Sequence, residues 1–300
     1  MKVSSLPITE LKGRLSAEGL GLCIGPFNIK LTSSLAVVAD GLEQLYGDFD
    51  LTKESDFTDF RISLAAPSLL RRWFRPQVNF SFDGFIPFKP LPQEQAFAMF
   101  EWGLNWCVAN NAHQYLIIHA AVIERNGVTC ILPGTPGSGK STLCAGMVCK
   151  GWRLLSDEMT LISTSTGEIF PIPRPVSLKN QSIEIIQNYS SHAFMGETVM
   201  DTAKGTVSHM RPPNSSVDSS GQPGKAGLII FPKYKEGEDA NLTPLNRANA
   251  LLKMAENSFN YSVLGLQGFE VLSALISNCD CYDFSYQSLD EAKEVLESLI

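Results

Sequence analysis

Residues 134–141 read Gly-Thr-Pro-Gly-Ser-Gly-Lys-Ser, a match to G-x-x-x-x-G-K-[ST]. No other segment narrows the possible folds so far, because such a loop works only between a strand and a helix. The sequence supplies both. Val128–Leu132 (VTCIL) reads as a strand, and a helix is predicted from Ser141 to about Lys150, with Gly151 where a C-cap belongs. Gly134, Gly137 and Gly139 let the backbone curl so that successive N–H groups face inward, a nest for phosphate oxygens. Thr135, Pro136, Ser138 and Thr142 complete the expected nucleotide-binding stretch. Lys140 is expected to reach the β- and γ-phosphates and Ser141 to ligate Mg²⁺.

Seventeen residues beyond Lys140 stand Asp157 and Glu158, flanked by apolar residues on both sides (Trp152–Ile162, WRLLSDEMTLI). One helix and a turn separate them from the loop, enough for the chain to return on an adjacent parallel strand. A carboxylate at the end of such a strand is where a phosphate-loop enzyme places its metal partner. Two acids permit divided labour, with Asp157 expected as general base and metal ligand and Glu158 supporting the metal. His119 interrupts an apolar strand predicted over Tyr115–Glu124, two strands upstream of the loop, and is a third candidate. Between the strands, Asn126-Gly127 signals a tight hairpin.

The rest of the chain supplies framework. Three hundred residues suggest two domains, 1–112 and 113–300. The first reads as a smaller mixed α+β unit: short strands at Leu20–Leu31 and Phe80–Phe88, a charged stretch at 48–59, and a helix from Pro92 to about Asn110. That helix reads as a buried packing helix, with Phe97, Phe100, Leu104, Cys107 and Val108 near one face and Trp102 stacked on Trp106. A short helix is predicted over Ser177–Gln187 with Ser177 as its cap, and three helices in the tail, the last carrying a Ser288/Glu291 capping box. Pro212–Lys225 (PPNSSVDSSGQPGK) reads as a mobile surface loop. Lys204, His209 and Arg211, just before it, are candidate lid cations, and Arg71, Arg72 and Arg75 read as a solvated basic edge.

Composition excludes some classes. A net charge of −7 argues against a dedicated nucleic-acid binder, and no stretch is long and apolar enough for a membrane span. The opening residues lack a signal-peptide run, and seven scattered cysteines read as buried or free thiols, so a cytoplasmic setting is expected. Cys279-x-Cys281 has no second pair at zinc-like spacing.

His119, the strand pair, residues 134–141, Gly151-Trp152 and Ser156-Asp157-Glu158 together resemble the catalytic core of HPr kinase/phosphorylase. The closer resemblance is to the HprK-related kinase A group, on 101–106 (EWGLNW), 116–121 (LIIHAA), 156–158, 204–213 (KGTVSHMRPP) and 258–265 (SFNYSVLG), and it covers most of the chain. It implies an α/β, phosphoenolpyruvate-carboxykinase-like phosphate-loop core with a mixed sheet, using ATP and Mg²⁺. By position, residues 134–142 bind nucleotide, Ser141 with Asp157 or Glu158 binds metal, and Asp157 accepts a proton while His119 stands near the phosphates. Glu158 stands where the family has a second Asp, Thr142 where it has Glu, and Ala120 where it has Gly. The arginine-glycine segment of the phosphorylase reaction is not found. The expected activity is therefore a serine kinase acting on a peptide or protein hydroxyl, paired with a small peptide-chaperone domain in related systems and homo-oligomeric by resemblance. The rival expectations are a small-molecule kinase, a nucleotide hydrolase and a non-catalytic nucleotide sensor.

Overall fold

The computed structural model describes residues 1–53 and 55–300; Glu54, inside the charged 48–59 stretch, lies outside the described residues. The chain opens with helix α1 (Ile8–Ser16), strands β1 (Leu20–Ile24) and β2 (Phe27–Ser33), helix α2 (Ala36–Leu45), and strands β3 (Phe60–Ala65), β4 (Gln77–Phe82) and β5 (Leu91–Pro92). The strands form one sheet in that order, with β2 and β3 parallel and the other neighbours antiparallel. Strict in–out alternation along β1 and β2 puts Leu20, Leu22, Ile24, Ile29 and Leu31 on a single buried face.

Helix α3 (Ala96–Asn111) packs on that sheet after a single 3₁₀ turn. It is buried nearly all round, which explains its lack of a clear polar stripe. Its two tryptophans do not stack on each other. Trp106 packs against Phe82 and Phe88, with ring centres 6.0 and 5.7 Å away, while Trp102 lies under the Lys204 ammonium at 5.3 Å. The same apolar core continues into Tyr115, Ile117, Met159, Leu161 and Ile172, so the first 112 residues share buried surface with the second half of the chain.

The second half runs through β6 (Tyr115–Ile118), β7 (Ala120–Arg125), β8 (Val128–Pro133), α4 (Lys140–Cys149), β9 (Arg153–Ser156), β10 (Thr160–Ser163), β11 (Ile169–Phe170), β12 (Val176–Lys179) and α5 (Gln181–Tyr189). It continues through β13 (Val199–Thr202), β14 (Gly205–Met210), α6 (Asn214–Asp218), β15 (Ala226–Tyr234), β16 (Asn241–Pro244), α7 (Arg247–Glu256), α8 (Tyr261–Leu264), α9 (Leu266–Ser277), β17 (Asp280–Tyr286) and α10 (Leu289–Glu297). A six-stranded mixed sheet in the order β16-β17-β15-β8-β7-β9 is its centre, with β17, β15 and β8 mutually parallel. Period two divides its side chains cleanly. Cys130, Leu132, Leu228 and Ile230 pack with α4 and α10, whereas Ile131 and Ile229 pack with α7 and α9. The chain is thus mixed α/β, with helices on both faces of the central sheet.

Several expectations change. The strand predicted over 115–124 breaks at His119: β6 pairs with β10 in one sheet and β7 joins the central one. Asn126 and Gly127 do form the tight turn, both at positive φ (52° and 79°). Strand β9 is not adjacent to β8; β7 lies between them, antiparallel to both, so β8 and β9 run the same way one strand apart. Ser177 lies inside β12 rather than capping a helix, and α5 begins after Asn180 at φ 52°. The 212–225 segment is packed, not a free loop. Ser216 is buried and accepts from the Leu154 N–H, and Arg153 donates to the Ser219 and Gln222 carbonyls. Asn214, Ser215, Asp218, Gln222 and Lys225 face water, while Ser216 and the carbonyls of Ser219 and Gln222 tie the segment down. Ser288 does accept from the Glu291 N–H at the start of α10. All seven cysteines are free thiols. No helix among the described residues is long and apolar enough to cross a membrane.

Candidate active site

Three strand ends meet at one edge of the central sheet. The register pairs Ala120 with Pro133 and Val122 with Ser156, so the residues just beyond these positions, His119, Gly134 and Asp157, emerge side by side. The 134–141 loop therefore lies between the histidine and the two acids although β8 and β9 do not touch. The carboxyl ends of β8, β15 and β17 open on the same edge, the usual place for a ligand in an α/β sheet.

The loop is held from behind. The Ser138 N–H donates to the Thr135 carbonyl at 3.1 Å, the Tyr234 N–H to the Ser138 carbonyl at 2.8 Å, and the Tyr286 hydroxyl to the Gly139 carbonyl at 2.8 Å. Gly139 sits at φ 90°, and a Cβ there would fall 2.5 Å from the Tyr286 oxygen. Gly134 permits the loop to close, since a Cβ would come within 2.5 Å of Ser138 Oγ. Helix α4 starts immediately after Gly139 with no side chain capping its first N–H groups, which leaves that end to an anion. Ser141 and Thr142 are half-buried in this first turn, and Thr135, Pro136 and Gly137 form its exposed rim.

Lys140 is 6% exposed, and its Nζ lies 3.2 Å from His119 Nε2. The other ring nitrogen, Nδ1, lies 3.2 Å from the Glu158 carbonyl oxygen. Burial, reinforced by the Lys140 charge, pushes the His119 imidazole down to about 4, so the ring is neutral near pH 7. The partners then assign its tautomer. The carbonyl can only accept, so Nδ1 carries the proton, and the ammonium can only donate, so Nε2 receives it. His119 thus bridges the Lys140 ammonium and the Glu158 carbonyl. Burial lowers the Lys140 pKa, and Asp157 and Glu158 oppose that shift.

The two acids have different surroundings. Asp157 is 4% exposed; its Oδ2 accepts the Ser177 N–H at 3.0 Å and its Oδ1 has no partner. Burial raises its pKa, opposed by Lys140 and by hydrogen bonding from Ser141 and Ser177. For Glu158, burial acts in the same upward direction, but Lys204, Lys140, Lys179 and Arg174 together prevail and hold it down to about 2. The two carboxyl groups are thus pushed in opposite directions, Asp157 upward and Glu158 downward.

Helix α3 contributes what sequence reasoning missed. Asn105 Nδ2 donates to the Glu158 carboxylate, and Asn105 Oδ1 accepts from Arg174. Arg174 also pairs with the buried Glu101 at 3.1 Å, which in turn accepts from the Tyr46 hydroxyl at 2.5 Å. The signal was present as Glu101 and Asn105, two polar residues four apart in a helix whose other polar residues, Asn110 and Asn111, stand at its exposed end. Of the three lid candidates, Lys204 reaches the site as a cation, from the β13–β14 turn. His209 lines a cavity beside Asp157 and Glu158 but is buried and pushed down to about 4, so it is no cation near neutral pH, and Arg211 pairs with Asp48.

For a divalent cation the nearby donors are hard oxygens: the Ser141 hydroxyl and the carboxylates of Asp157 and Glu158. No group of three His, Cys, Asp or Glu able to cage a metal occurs among the described residues. That donor set fits Mg²⁺, which takes one or two carboxylates together with substrate phosphates and water.

Among protein-family models, the one described as SynChlorMet cassette protein ScmC matches residues 92–188, about a third of the chain. This stretch holds Glu101, Asn105, His119, the phosphate loop, both acids and Ser177. No match is found among curated proteins. Among solved structures, the HPr(Ser) kinase/phosphatase from Coxiella burnetii is similar at 10% identity and a TM-score of 0.26, covering 61% of this chain and 92% of the other.

Proposed function

We propose that the protein is an ATP-dependent kinase that transfers the γ-phosphoryl group to a hydroxyl of a peptide or protein. The reading rests on one arrangement: a glycine loop opening onto a helix N-terminus, with a buried lysine in it and a buried, half-satisfied aspartate beside it. Free backbone N–H groups within residues 134–142, Pro136 having none, bind the phosphates, and Lys140, steadied by His119, counters charge on the transferring group. Asp157 accepts the proton of the attacking hydroxyl. Its raised pKa and free Oδ1 favour that role over Glu158, which stays ionised among cations. Mg²⁺, when bound by Ser141 and the two acids, would neutralise charge on the β- and γ-phosphate oxygens. Residues 113–300 form the kinase core in this reading, and α3 of the preceding unit walls one side of its site.

The test is calorimetric titration with ATP and Mg²⁺, followed by incubation with γ-labelled ATP and the peptides encoded beside the gene. Wild type binds nucleotide and labels a peptide. Lys140→Ala loses about a hundredfold or more in transfer. Phosphate release at the same rate with and without peptides favours a hydrolase, and binding without turnover favours a sensor.

A further inference from the structure

Between β3 and β4 the chain carries Leu69-Leu70-Arg71-Arg72-Trp73-Phe74-Arg75. Leu69, Leu70, Trp73 and Phe74 are 82, 69, 84 and 61% exposed, respectively. Single exposed apolar side chains are ordinary, but four large ones within six residues form a patch that marks an interaction surface. The backbone beneath them is tied. A 3₁₀ turn spans Leu70–Arg72, and Ser68 Oγ accepts the Arg71 N–H at 3.3 Å. The Trp73 and Phe74 N–H groups donate to the Leu70 carbonyl at 3.2 and 2.9 Å.

The arginines set the chemistry of what covers this patch. Among the described residues, none of Arg71, Arg72 and Arg75 forms an ion pair. Arg75 lies over the Phe74 ring, 5.8 Å from its centre, which leaves the edge of the guanidinium to a planar acceptor such as a carboxylate. The turn is therefore more than the solvated basic edge that its arginines suggest in the sequence. Tryptophan and arginine are residue types that dominate binding at interfaces. A matching occupant is acidic and apolar together. A polypeptide segment fits that description better than an anionic bilayer does. The whole chain carries a net charge of −7, which a broad anionic plane would repel, whereas a short segment meets only the turn.

We infer that the Leu69–Arg75 turn docks an acidic polypeptide segment that bears apolar side chains. Leu69, Leu70, Trp73 and Phe74 cover those side chains, and Arg71, Arg72 and Arg75 meet its Asp or Glu carboxylates. The aromatic anchors carry most of the affinity, while the charge pairs steer the encounter and set the register. This surface belongs to the five-stranded sheet of the first half of the chain, and its binding role stands whether or not the kinase reading does.

The experiment selects a phage-displayed random-peptide library on the full-length protein and measures the enriched peptides by fluorescence anisotropy at low and high salt. Enriched sequences should combine Asp or Glu with Leu, Ile or Phe. Trp73→Ser should weaken their binding by about tenfold or more. The double change Arg72→Gln with Arg75→Gln should do the same and also flatten the salt dependence. All three side chains are exposed, so the melting temperature should hold and lost binding is not lost folding. Enrichment of no peptide, of peptides without acidic residues, or of peptides that bind either substituted protein as well as wild type would overturn the inference. Sedimentation of wild type, but not of Trp73→Ser, with phosphatidylglycerol vesicles would overturn it in favour of a membrane surface.

Discussion

The side-chain amide of Asn105 is shared between Glu158, 53 residues away in sequence, and Arg174: its Nδ2 donates to the one and its Oδ1 accepts from the other. Helix α3 thereby fixes the orientation of a carboxylate at the edge where the 134–141 loop emerges. Asn105→Leu should lower phosphoryl transfer by about tenfold or more, because the Glu158 carboxylate loses the side-chain donor that orients it. Asn105→Asp should lose more, by placing like charge against Glu158. Steady-state kinetics at fixed nucleotide saturation decides the order.

Arg174 and Glu101 form a buried ion pair completed by Tyr46. Arg174→Leu strands the Glu101 carboxylate and should destabilise the fold by roughly 3–5 kcal/mol, whereas the double change Arg174→Leu with Glu101→Leu should recover much of that. Urea denaturation of both variants measures the difference. Equal stability of the two would mean the pair is not coupled.

Two loop glycines separate strain from crowding. Both Gly137 and Gly139 have positive φ (86° and 90°), but a Cβ at Gly137 meets nothing within 4 Å, while one at Gly139 falls 2.5 Å from the Tyr286 oxygen. Gly137→Ala should cost about 1–2 kcal/mol of backbone strain. Gly139→Ala should cost more and also weaken nucleotide binding, since Tyr286 must move off the loop. Thermal melts and nucleotide titrations of the pair test this.

His209 gives a pH signature. Its folded pKa of about 4 lies below the ordinary histidine value of 6.5, so the unfolded chain binds a proton first as pH falls. Its contribution to stability is complete above pH 6.5 and is lost between there and pH 4, by roughly 3 kcal/mol in all. His209→Phe removes that loss, so the stability difference between variant and wild type should shift in the variant's favour across this window. A constant difference from pH 7 to pH 4 would contradict the assignment.

The glycine-rich loop at 134–141, its flanking strand and helix, and the approximate place of the two acids were legible in the sequence because each is a local pattern. Gly134–Ser141 carries its own geometry, and Asn126-Gly127 its own turn. What was not legible depends on pairing at a distance. The break at His119 arises because β6 and β7 join different sheets, and Ser177 reads as a helix cap until β12 is seen paired with β14. Glu101 and Asn105 were visible as polar residues four apart, but their partners, Arg174 and Glu158, lie far along the chain, so what they hold was not. The 212–225 segment looked loose by composition, yet Ser216 accepts from the Leu154 N–H and Arg153 donates to the Ser219 carbonyl.

The sharpest test of the kinase reading is transfer of γ-labelled phosphate by the Asp157→Asn protein, with nucleotide binding measured on the same sample. Asn keeps the shape and the acceptor oxygen for the Ser177 N–H but cannot take a proton. ATP should still bind, and labelled acceptor should fall by about a hundredfold or more. Transfer at the wild-type rate by Asp157→Asn would contradict the role given to this carboxylate and the mechanism built on it.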